Sequence, residues 1–232
     1  MARSYTLGRR AEKQAETRQR IVEAAVDLHG SVGPAHTTVS MIAERAAVQR
    51  HTLYAHFPDE RSLLLACSGH WLECDPPPDA VAWRELRERD KRLRTGLRAI
   101  YDWYARNDSL FGCLLRDAEH HAGTRRIAEM RFGPLMAAYR ETLGAGLNAR
   151  QRAMLGPALS FFTWRSLTRD GGLIQAAAVA AMANARPVAT IATVVLPRDI
   201  TQERAWRLYE GLRDAALAWS APLVGGDIAT TS

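Results

Sequence analysis

A chain of 232 residues that is 47% hydrophobic and 24% charged has the make-up of an ordinary folded protein, which excludes fibrous, collagen-like and disordered classes. It is long enough for a small domain and a larger one, each with its own core. With 31 Lys and Arg against 25 Asp and Glu, the net charge of +6 favours an anionic partner such as nucleic acid. Three cysteines, Cys67, Cys74 and Cys113, have no framework spacing and follow no secretory signal, so a reducing, cytoplasmic setting is expected. The least charged stretch, 171–197, is Ala-dominated and broken by Arg186 and Pro187, which argues against a membrane span.

Residues 1–20 carry Arg3, Arg9, Arg10, Lys13, Arg18 and Arg20 against Glu12 and Glu16, a local charge of +4. Two readings stand: an arm that follows DNA phosphates or enters the minor groove, and, for residues 1–10, a solvated tail. Thr37 and Thr38 precede an apolar-periodic run, where a hydroxyl can cap a helix start. Val39, Ile42, Ala43 and Ala46 then predict a helix of about two turns. Ala47-Val48-Gln49 is the expected turn, and a second helix from Gln49 or Arg50 to His56 buries Leu53, with Phe57 closing its inner face. Arg50, His51, Thr52, Tyr54 and His56 are left to the outer face, where the major groove would admit such a helix. Any short helical hairpin also carries polar residues outside.

These residues resemble the DNA-binding domain of TetR-family transcriptional regulators over about the first 70 positions. The match runs from Thr17-Arg18-Gln19-Arg20-Ile21-Val22-Glu23-Ala24-Ala25, through the loop Gly30 to Pro34 and the run Thr37-Thr38-Val39 with Ile42-Ala43, to Thr52-Leu53-Tyr54-Ala55-His56-Phe57 in the recognition helix. This chain departs from the family pattern at Ala47, where Gly is usual, and at Gln49, His51 and the pair Glu60-Arg61. The resemblance implies an all-α homodimeric repressor. Residues 1–61 would form the basic arm and three-helix helix-turn-helix domain, and 62–232 a larger helical ligand-binding and dimerisation domain. Thr38, Thr52, Tyr54 and Arg61 would hold phosphates, while Gln49, Arg50 and His51 read bases of a palindromic double-stranded operator.

Past the recognition helix, a helix from about Ser62 to Glu73 should end at Asp75-Pro76-Pro77-Pro78, because prolines lack the N–H donor. Further helices are predicted over Trp83 to Arg106, Leu110 to His121, Thr124 to Leu143, Gln151 to Thr168 and Leu173 to Ala185, with Pro157 bending or delaying the fourth. The run 187–200 reads as extended and β-branched, a departure from the family, and Gln202 to Trp219 as one more amphipathic helix. By the same resemblance, Leu155, Leu159, Phe162, Ser166, Leu173, Ala177, Ala180 and Ala181 are candidates for a homodimer seam; intramolecular packing is the competing reading.

Aromatic and Met residues of the larger domain would suit a cavity for an apolar or aromatic effector, and Tyr104, Phe111, Met136, Tyr139, Phe162 and Trp164 are the residues singled out. Core packing accounts for most such residues. Cys67, His70 and Cys74, at i, i+3 and i+7, share a helix face and are metal-ligand types, although buried filler is the commoner role of such thiols. No cofactor is expected. No phosphate loop, nucleophile elbow or zinc-protease pattern supports an enzyme, and Asp117, Glu119, His120 and His121 form only a polar cluster. An architectural DNA-binding protein without a ligand, which would need a small or absent cavity, is the main alternative, with a helical enzyme behind it.

Overall fold

The computed structural model describes residues 2–183, 190–196, 201–218 and 223–230. The chain divides into two compact units, residues 1–147 with 155–183, and residues 148–154 with 184–232.

Helix α1 runs unbroken from Ala2 to Ser31, rather than starting near Thr17 behind a separate arm. The stretch holds no proline and is rich in Ala, Arg, Glu and Gln, all good helix formers, so the basic residues extend the same helix. Its later turns bury Ile21, Val22, Ala25 and Leu28 at helical spacing. After α1, Gly33 at φ +105° reverses the chain into a 3₁₀ turn, Pro34–His36. Thr38 caps α2 (Val39–Arg45) by accepting the Met41 N–H at 3.3 Å, a contact worth about 1 kcal/mol. Thr37 instead donates its hydroxyl to the Gly33 carbonyl at 2.7 Å. The turn to α3 (Arg50–His56) puts Ala47 at φ +52°, a left-handed conformation that glycine adopts without strain.

Asp59 caps α4 (Glu60–Cys74) by accepting the Ser62 N–H at 2.7 Å, and the triple proline follows its end as expected. This helix is shared by two cores. Leu63 and Cys67 join Ile21, Ile42, Leu53 and Phe57 in the first, while Trp71 enters the second. Trp71 stacks on Trp103, its indole N–H bonds the Asn107 side chain, and Asn107 in turn donates to Asp75 at 2.7 Å.

The second core is built on α5 (Val81–Arg84), α6 (Arg89–Arg106), α7 (Asp108–Ala118) and α8 (Ala122–Gly144), with α10 (Phe161–Arg165) and α11 (Gln175–Ala183) against it. The single helix expected over 83–106 is two, and in the break between them the Leu86 carbonyl accepts from the Arg92 guanidinium at 2.8 Å. Likewise 151–168 is broken into α9 (Ala149–Ala158) and α10: Pro157 supplies no N–H, and Ser160 caps a fresh start by accepting from Thr163. A π-turn, Ser166–Asp170, follows.

The all-α expectation describes the first unit; the second adds strands. There β1 (Thr190–Leu196) and β2 (Leu223–Thr230) pair in parallel, joined through α12 (Gln202–Ala218), as a parallel pair requires a crossover. The extended run expected at 187–200 therefore appears as β1, its flanks at 187–189 and 197–200 lying outside the described residues, as does Trp219.

Helix α7 fastens the turn between α1 and α2 to the second core. The Asp117 side chain, 2% exposed, accepts the Ala35 N–H at 2.9 Å and the Arg116 Nε–H at 2.7 Å. Arg116 Nη2 also donates to the Val32 carbonyl at 3.0 Å, and the Ser109 hydroxyl to that of Gly30. A Cβ on Gly33 would lie 2.2 Å from Arg116 and 2.4 Å from Asp117, so glycine is required there for space as well as for φ.

Two predictions follow from this packing. Ala47→Gly should raise stability by up to about 1 kcal/mol, the left-handed strain removed exceeding the entropy glycine adds, and a urea midpoint at or below that of the wild type would contradict it. His29 is 6% exposed, and burial draws its pKa from 6.5 to about 4 against the opposing pull of the Asp117 charge. The unfolded chain then binds the proton first, so stability should decline as pH falls from about 6.5 to 4, at about 1.4 kcal/mol per unit difference. In His29→Leu the decline in urea midpoint over that window should be smaller; an unchanged profile would assign it elsewhere.

Candidate nucleic-acid interface

The first core holds α3 by one face only. Leu53 and Phe57 are buried beneath it, and the Arg18 guanidinium sits 4.9 Å from the Phe57 ring centre, tying α1 to the end of α3. An ion pair from Asp27 to Arg45 ties α1 to α2. With three helices locked in this way, the outer face of α3 is presented on a rigid base.

That face carries Gln49, Arg50, His51 and Tyr54, all exposed, with Tyr54 at 53%. Gln49 stands at the N-cap of α3 but its side chain makes no capping bond. Thr52 and His56 are half-buried at the sides, and Thr38 is exposed while capping α2. Arg61, in the first turn of α4, is exposed beside Glu60. Exposed basic residues of α1, among them Arg10, Lys13 and Arg20, continue the positive character along that helix. A guanidinium, hydroxyls and ring nitrogens on a short helix are the donor set that phosphates and base edges accept.

The other candidate residues fall differently. Tyr104, Phe111, Tyr139 and Trp164 are buried in the second core, ring against ring, with Tyr104 5.6 Å from Phe111 and 5.9 Å from Trp164. The Tyr104 hydroxyl donates to the Leu159 carbonyl at 2.7 Å and the Tyr139 hydroxyl to that of Pro78 at 2.6 Å. Met136 packs on the same cluster, and Phe162 is 46% exposed. None of these six lines the apolar cavity between the cores. Its walls are Val26, His29, Leu64, Cys67, Trp71, Leu114, Ile127 and Phe132, among others, and at about 30 Å³ it holds little more than one water.

Of the expected seam residues, Leu155 and Leu159 are buried inside their own chain's core. Phe162, Ser166, Leu173 and Ala181 are exposed, Ala177 and Ala180 half-buried, and Ile174, which the sequence reading passed over, is 74% exposed. Cys67 points into the first core, where burial pushes its thiol up to about 12, whereas Cys74 lies 3.7 Å from the His70 ring at the surface. Among the described residues no three metal-ligand side chains converge. No helix among them is long and apolar enough to cross a membrane. Sequence reasoning also treated Asp117 as part of a loose polar cluster; its role in holding the turn at Ala35 depends on a partner 82 positions away.

Comparison with known proteins agrees with this geometry. Residues 21–67 match the family model of bacterial regulatory proteins, tetR family. Residues 155–232 match a second description, AIR synthase related protein, N-terminal domain. The chain is 28% identical over 217 residues to the tetracycline repressor protein class C of Escherichia coli, covering 91% of this chain and 90% of that protein. It is 39% identical over 72 residues to the HTH-type transcriptional regulator SrpR of Pseudomonas putida, covering 30% of this chain and 34% of the other. In fold it is similar to a HlyIIR mutant protein, with TM-score 0.56 at 15% identity over 74% of this chain and 98% of that one. It is also similar to AibR in complex with isovaleryl coenzyme A and operator DNA, with TM-score 0.52 at 19% identity over 72% and 96%. The helix-turn-helix core, its outward-facing α3 and the sequence match over residues 21–67 make this part of the chain similar to the DNA-binding domain of bacterial regulatory proteins of the tetR family.

Proposed function

We propose that the chain is a ligand-responsive repressor that binds a palindromic operator as a homodimer and lets go when a small apolar or aromatic molecule binds. The observation that carries this reading is α3, held by Leu53 and Phe57 on one side and bare on the other, with Arg50, His51 and Tyr54 outward. Two copies of α3 would enter successive major-groove half-sites about one helical turn apart. Gln49, Arg50 and His51 would read bases, while Thr38, Thr52, Tyr54 and Arg61 hold phosphates and His56 flanks them.

The DNA-reading part would end inside α4, near Arg61. Because α4 belongs to both cores, an effector that parts Trp71 from Phe132 and Leu114 would displace Leu63 and Cys67 at the other end. Such coupling needs unequal affinity for the two conformations. The partner copy would cover Phe162, Ser166, Leu173, Ile174, Ala177, Ala180 and Ala181, whose small or apolar side chains permit close helix approach. A second reading, DNA binding without an effector, draws support from the small size of the apolar cavity.

Binding of the chain to its own upstream DNA, measured across a salt series, tests the central reading. Arg50→Ala should cost about 1–3 kcal/mol and relax sequence preference, and Tyr54→Ala should weaken affinity alike across sequences with the fold retained. A salt-insensitive or sequence-blind interaction, or Tyr54→Ala at wild-type affinity, would count against the assigned roles. Light scattering should give twice the 25.7 kDa chain mass, and a monomer at working concentration would remove the dimer.

A further inference from the structure

Within the first unit, a surface cleft of about 590 Å³ opens between the end of α1, the α6–α7 junction, α10 and the π-turn after it. That volume is in the range of small-molecule sites. Its walls carry Arg106, Arg116, Arg165 and Arg169, and among its lining residues the one acidic side chain is Asp108.

The four guanidinium groups reach the cleft from three helices and the turn, and their side chains are each about half exposed. Arg169 donates through Nε and Nη2 to Asp108 Oδ2, at 3.1 and 2.8 Å. The Arg165 Nε is 3.7 Å from Asp108 Oδ1, beyond hydrogen-bond range, and that oxygen is buried without a hydrogen-bond partner among the described residues. One carboxylate, 16% exposed, thus serves two arginines imperfectly. Arg106 and Arg116 are anchored from outside the cleft, by Asp75 and Asp117, so their geometry is set before anything binds. Gly112 on the floor allows the crowding: a Cβ there would lie 3.1 Å from Arg165 Nη1. Phe162, exposed in the single chain and among the residues that the proposed dimer would cover, supplies a ring at the edge.

The four arginines outnumber the three carboxylates that pair with them, Asp75, Asp108 and Asp117, with Arg165 the least engaged, and such a set suits a planar or tetrahedral oxyanion, which accepts several charge-assisted hydrogen bonds at once. We infer that this cleft is a binding site for a small anion bearing a carboxylate or a phosphate. The site goes beyond the repressor reading, lies apart from the apolar cavity between the cores, and would exist whether or not the chain binds an operator.

Binding of benzoate and of inorganic phosphate to the full-length protein, followed by proton and phosphorus NMR line broadening at constant ionic strength, tests it. Saturable broadening is expected with at least one probe: benzoate alone would assign a carboxylate, phosphate alone a phosphate, and both a general oxyanion site. Arg165→Gln should raise the apparent Kd about tenfold or more, while Arg126→Gln, an equal charge change on the exposed surface of α8, should leave it unchanged. Arg106→Gln, whose guanidinium pairs with Asp75 rather than Asp108, provides the same reading should Arg165→Gln fail to fold. The inference is overturned if neither probe saturates, as would follow were a second copy of the chain to cover the cleft, or if the cleft variants and Arg126→Gln bind alike.

Discussion

The structure turns on one helix being buried in two cores at once. Leu63 and Cys67 in the first half of α4 are held among the DNA-facing helices, and Trp71, one turn beyond Cys67, is clasped by Trp103, Phe111 and Phe132. A helix transmits displacement along its axis with little bending, and close-packed cores resist continuous deformation. The two ends of α4 are therefore constrained together, and Asn107 and Asp75 fix the far end by hydrogen bonds.

Helix α7 adds a second mechanical link of different character. Where α4 works through apolar packing, α7 uses a buried carboxylate and an arginine to hold the turn between α1 and α2. Burial alone would raise the pKa of Asp117, and the bonds from Arg116 and the Ala35 N–H outweigh it, leaving the group below its ordinary value and charged. The same Arg116 lines the cleft beside α7, so the electrostatics of that cleft and the seating of the turn share a side chain. The face of α3, by contrast, has no such restraint on its outer side, which is what a reading surface requires.

Much of the DNA-binding region was legible in the residues because its determinants are local. Thr38 capping, the period of Val39, Ile42, Ala43 and Ala46, the turn at Ala47 and the stop at Pro76 each depend on neighbours within a few positions. The expected α2 and α3 agree with the observed spans to within about a residue. The larger domain was less legible. Leu155 and Leu159 have the spacing of a seam, yet they are buried in the core of their own chain, and Tyr104 and Tyr139 find carbonyl partners far along the chain, which no pattern within one helix reveals.

By itself, the sequence determined where α2, α3 and α4 begin and stop to within a residue or two, and which residues of α3 are left polar, since backbone sterics, capping and side-chain period are properties of short segments. Tertiary structure alone decided that α4 serves two cores, that Asp117 holds the turn at Ala35, and that four arginines spread from position 106 to 169 line one cleft, two of them beside Asp108. Those depend on which distant surfaces bury each other. A buried charge or ring takes its role from the partners that replace its water, and here those partners lie up to 82 positions away.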